Sequence, residues 1–113
     1  MLATNILREI GMASYRIVCT TQAPASAPPS HQHIVEVGTG TDPDKADRRW
    51  TLDQVLAAMD AGDTFYTQGN TSGKRASVEK YLCSSCRRTY IRSSPDAVAD
   101  NNLDNLRRCR GWD

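Results

Sequence analysis

A chain of 113 residues, 39% apolar and 24% charged, holds one small domain with a modest core, which excludes a multidomain enzyme. It contains no run of about 18 apolar residues, so no membrane-spanning helix is encoded. The net charge is +1, split unevenly: residues 1–63 carry five Lys/Arg against eight Asp/Glu, and residues 64–113 carry nine against five. An anionic partner would therefore meet the second half, although the sequence pI of 7.7 argues against a dedicated nucleic-acid binder.

Residues 1–13 read as a flexible extension. Arg8 and Glu9 interrupt any apolar stretch and no small-residue cleavage site follows, so a secretory leader is not expected and a cytoplasmic setting is. Either Met1 or Met12 can serve as the start. The single domain is expected over residues 14–113. Tyr15-Arg-Ile-Val-Cys-Thr20 is β-branched and short, a first strand. Gln22 to Gln32 is rich in Ala, Pro and Ser and reads as a mobile linker inside the domain. His33-Ile-Val-Glu-Val37 forms a second strand, closed by Gly38-Thr-Gly40, and a polar loop follows from Thr41 to Arg49.

The clearest element comes next. Thr51 is a good N-cap, Gln54 completes a capping box, and Trp50 and Val55 stand in the positions of a hydrophobic staple. Leu52, Val55, Leu56 and Met59 make one apolar stripe, and Gly62 supplies a left-handed stop. The helix is expected over about 51–61. Phe65-Tyr-Thr67 is a third strand, Gly69–Gly73 a turn, and residues 75–83 and 86–92 a hairpin. Ser94-Pro-Asp96 breaks the chain, and Ala97 to Arg108 is weakly helical. These pieces predict an α+β fold: a small two-layer domain of about five short, mostly antiparallel strands packed on one central helix.

Chemistry concentrates at Cys83-Ser-Ser-Cys86, at the neck of the predicted hairpin. Four cysteines in a chain without an export signal are expected as reduced thiols or metal ligands rather than as a disulfide framework. Zinc needs four soft ligands, so Cys83 and Cys86 would be completed by Cys19, Cys109, His31 or His33. The alternative is a bare thiol pair at a turn. Arg87 stands where zinc knuckles usually carry Gly. A redox role ranks last, because Cys83 follows a strand and lacks the helix N-terminus that activates such thiols. His33 by itself reads as a partly buried ring at a strand start, and Cys19 and Cys109 as small buried residues.

Arg75, Arg87, Arg88 and Arg92 are interleaved with Tyr81 and Tyr90, a pattern able to hold a partner or single-stranded nucleic acid. No GxSxG, phosphate loop or HExxH occurs, so catalysis is not expected.

His33-Ile-Val-Glu-Val-Gly, Trp50 before the capped helix, Gly62-Asp-Thr-Phe-Tyr, Tyr90-Ile-Arg-Ser-Ser-Pro-Asp and Asn102-Leu-Asp-Asn-Leu-Arg-Arg-Cys follow one another in fixed order. Over residues 15–109 this order resembles a small prokaryotic family, domain of unknown function 3892. The resemblance implies a small single-domain fold and no established reaction. It also implies that Cys19 and Cys109 occupy positions where the family tends to carry Cys, and that Cys83 and Cys86 elaborate a turn. The expected function is a non-catalytic interaction module that binds a protein partner. The alternative is a nucleic-acid-binding domain using the basic hairpin, with zinc as a stabiliser of either.

Overall fold

The computed structural model describes residues 12–24, 32–84, 86–94 and 98–113. The extension over 1–11, the centre of the expected linker and His31 lie outside the described residues. Six strands form one sheet: β1 (Ser14–Pro24), β2 (Gln32–Thr39), β3 (Arg48–Thr51), β4 (Thr64–Gln68), β5 (Arg75–Cys83) and β6 (Arg88–Ser93). Their order across the sheet is β3-β2-β1-β4-β5-β6. Every pairing is antiparallel except β1 with β4, which run parallel over Ser14–Arg16 and Thr64–Tyr66. Among the described residues one α-helix, α1 (Leu52–Asp60), packs against β2, β3 and β4.

An α+β domain is thus present, with one strand more than the sequence suggested. The added strand is β3. It takes Arg48 and Arg49 from the stretch read as a polar loop and Trp50 and Thr51 from the helix start, and with Trp50 its one buried side chain no alternation is visible. Pairing with β2 supplies its hydrogen bonds, Val37 standing opposite Trp50. The mobile-linker reading fails at both ends for the same reason. Gln22, Ala23 and Pro24 pair with Ile34, His33 and Gln32, so backbone pairing carries both strands into the Ala/Pro segment.

Helix α1 forms as its local sequence demands. Thr51 Oγ1 accepts from the Gln54 amide at 3.2 Å, and the Gln54 side chain accepts from the Thr51 amide at 2.9 Å, so two otherwise orphan donors are satisfied. Leu52 and Val55 are buried, Leu56 and Met59 pack at the rim of the core, and Asp53 faces solvent. Gly62 ends the helix at a φ of 107°, a region closed to most side chains. Thr51→Ala is expected to destabilise the fold by ~1 kcal/mol in denaturant unfolding; an unchanged midpoint would mean the cap is dispensable.

The core gathers on the face covered by the helix. Tyr15, Trp50 and Phe65 lie with ring centroids 4.9–5.3 Å apart, and Trp50 Nε1 donates to Thr39 Oγ1 at 2.9 Å. Ile17, Val37, Val55, Phe65 and Leu103 are all but inaccessible to solvent. The sheet curls, bringing β2 against β6 although they stand far apart in its order. That curl sets β2 beside the tip of the β5–β6 hairpin.

β1 changes partner along its length. After Arg16 it parts from β4, and the chain's last segment takes the vacated edge: the Thr20 amide donates to the Arg107 carbonyl and the Cys109 amide to the Thr20 carbonyl. Two short 3-10 turns, Ala99–Asn101 and Leu103–Asn105, stand where a weak helix was expected. They fill the wedge between the strands with Leu103 and Asn101, whose carbonyl accepts from Thr67 Oγ1. Asp100 fastens this segment to the turn after β4, accepting from the Thr71 and Ser72 amides and from Ser72 Oγ. Those donors, the Ser72 amide foremost, hold its carboxyl below the ordinary range. The Asp113 carboxylate accepts from Arg107, Arg110 and the Ala46 amide and is likewise held well below that range.

Candidate metal centre

Cys83 is the last residue of β5, and its side chain turns into the core. The chain then reverses, and the Arg87 amide donates to the Cys83 carbonyl at 2.7 Å. Arg87 holds a left-handed φ of 54°. That is the conformation glycine adopts without strain, so the turn takes the shape a glycine would favour although an arginine occupies it. The turn brings Cys86 back, half-buried, toward Cys83.

The third member comes from the far side of the sheet. His33 on β2 is buried at 5% exposure and lies flat on the Tyr90 ring, with centroids 3.7 Å apart and planes within 8°. Its Nε2 stands 3.3 Å from Cys86 Sγ. Its Nδ1 stands 3.1 Å from the Tyr81 hydroxyl. The ligand atoms of His33, Cys83 and Cys86 all fall within 4.8 Å of one another.

Those distances suit zinc. A tetrahedral ion with bonds of about 2.3 Å to sulfur and 2.0 Å to nitrogen separates its ligand atoms by about 3.5–3.8 Å. Small side-chain movements bring these three groups to that spacing. Thiolate and imidazole are the donors zinc favours. The Tyr81 hydroxyl on the remote ring nitrogen is the outer contact that fixes a ligating histidine's tautomer and orientation. Burial, first, and the nearby Cys83, second, push the Tyr81 phenol above its ordinary value, so it stays protonated.

The other expected ligands do not join this cluster. Cys19 and Cys109 form a disulfide, with Cα atoms 4.9 Å apart, so they are neither reduced thiols nor zinc ligands. The pairing of β1 with the final segment brings them together, which no compartment argument could reveal. Gly38 makes room for the bond: a Cβ there would lie 2.6 Å from Cys19 Sγ and from Ala46 Cβ. Cys83 and Cys86 remain thiols.

The predicted basic face is dispersed. Arg88 pairs with Asp53, and Arg92 pairs with Glu79 while lying over the Tyr81 ring. Arg75 covers Tyr66 at the opposite end of β5, and Tyr90 is buried beneath His33. Arg87 is exposed at the turn.

A family model described as protein of unknown function DUF3892 matches residues 16–107. The chain belongs to this family. No curated protein and no solved structure matches it. The DUF3892 match takes in all three members of the cluster and Cys19, and stops two residues short of Cys109. Among the described residues, no helix is long and apolar enough to cross a membrane.

Tyr81 is the residue whose role sequence reasoning missed. The sequence pattern groups it with the cationic face, yet the period-2 alternation of β5 places it beside Cys83, on the same face.

Proposed function

We propose that the domain is a non-catalytic interaction module whose β5–β6 hairpin is fastened to β2 by a zinc ion held by His33, Cys83 and Cys86. The observation that carries this reading is the convergence of three soft ligands, contributed by strands some 50 residues apart, within 4.8 Å. Three protein ligands leave a fourth position for water or for a partner's side chain. A structural role is supported by the cluster's place: it bridges β2 and the β5–β6 hairpin, which are not paired with each other in the sheet.

A protein partner is favoured by the surface around the turn. Leu82 is exposed beside Cys83, with Arg87 and Arg88 close in sequence, which suits an apolar anchor framed by acidic groups. Nucleic acid draws less support from the same hairpin, because Tyr90 is buried and Arg92 occupies the face of Tyr81, leaving no stacking platform there. This reading requires Cys83 and Cys86 to stay reduced, since thiols bind metal only in that form, while Cys19 and Cys109 are joined.

Elemental analysis of protein purified without a metal-binding tag tests it. About one zinc per chain is expected, lost in Cys86→Ala. Metal-free protein in which both thiols react freely in the native state overturns the zinc reading.

A further inference from the structure

Among the described lysines and arginines only Arg16 and Arg107 are half-buried; the others are exposed. Arg107 is neutralised by Asp113. Arg16 is not neutralised by any carboxylate among the described residues. Its Nη2 donates to the Gln68 carbonyl and to Asn70 Oδ1, its Nη1 makes a long 3.5 Å contact to the Thr41 carbonyl, and its Nε is buried without a partner. A cation withdrawn from water and served only by neutral acceptors is incompletely stabilised.

Arg16 lines two cavities. The first, of about 290 Å³, also holds Asp44 and Asp100, which oppose an anion. The second, of about 280 Å³, is lined by Ser14, Tyr15, Arg16, Thr41, Arg48 and Tyr66, with Asp47 its one carboxylate. Arg48 has no ion pair among the described residues either. Its guanidinium lies 3.7 Å above the Trp50 ring, which fixes it in place. Two arginines and five hydroxyl-bearing residues, Ser14, Tyr15, Thr39, Thr41 and Tyr66, thus line one pocket, remote in topology from the hairpin turn.

We propose that this pocket binds a small oxyanion, a phosphate ester or a carboxylate, held by Arg16 and Arg48. Guanidinium forks match both oxyanions, and an anion there completes the charge that Arg16 lacks. This inference stands apart from the zinc reading, because none of its residues belongs to the metal cluster.

The test is an NMR titration of the intact protein with inorganic phosphate, phenyl phosphate and benzoate in separate arms. Saturable shifts at Gly40, Thr41 and Tyr66, with affinity in about the millimolar range or tighter, are expected from at least one probe. Phenyl phosphate surpassing benzoate assigns a phosphate ester, and the reverse assigns a carboxylate. Arg48→Met, an exposed position whose loss leaves the Arg16 hydrogen bonds intact, is expected to weaken binding at least tenfold. Arg16→Lys, which keeps the charge but removes the fork, is expected to weaken it as well. Absence of saturable shifts with all three probes, or equal affinity in wild type and Arg48→Met while the fold is retained, overturns the proposal.

Discussion

With zinc held by His33, Cys83 and Cys86 as proposed, stripping it is expected to lower the melting temperature by about 15–30 °C. A ligand at about a thousand times its dissociation constant stabilises the native state by roughly 4 kcal/mol, and each kcal/mol moves the melting point of a domain near this size by about 4–8 °C. Complete unfolding is not expected. Tyr15, Trp50, Phe65 and Val55 pack on one another without the metal, and the Cys19–Cys109 bond ties β1 to the final segment. The loss should be local: amide protection falls in β5, β6 and the start of β2, while α1 and β3 keep theirs. Cys86→Ala is the informative variant, since Cys86 is half-buried, whereas His33→Ala also removes the stack on Tyr90. A melting point unmoved by chelation, in protein shown to have contained zinc, would reduce the metal to a passenger.

What could be read from the sequence was what neighbours in the chain decide. Thr51, Gln54, Trp50 and Val55 lie within six consecutive residues, so the cap, the box and the start of α1 were legible. β5 and β6 were legible because their pairing runs outward from one turn. β3 was not, since three of its four side chains face solvent and its strand character comes from β2. The metal cluster was half legible: Cys83 and Cys86 announce each other by spacing, and His33 stood among several possible partners. Choosing His33 requires the curl that sets β2 against β6, a tertiary effect without local sign. The Cys19–Cys109 pairing has no local sign, because it depends on the strand edge that aligns Thr20 with Arg108.

That disulfide makes the second large effect. It spans 90 residues, nearly the whole domain. Closing a loop of that length restricts the unfolded chain by roughly 4–5 kcal/mol in the entropic model, and removal of native disulfides typically costs about 2–5 kcal/mol. Cys109→Ala is expected to lose that amount in denaturant unfolding. Cys19→Ala should lose at least as much, because Cys19 is wholly buried against Gly38. The double variant should be scarcely worse than the poorer single one, since both remove one bond. The structural consequence is release of the final segment from β1, and with it the Arg107–Asp113 pair and the bond from the Ala46 amide to Asp113. Reductant should reproduce the destabilisation in the wild type and leave Cys109→Ala unchanged. Alkylation of four thiols in native, unreduced protein would show that the bond does not form, and the last segment would then rest on β1 by hydrogen bonds and the Arg107 contacts alone.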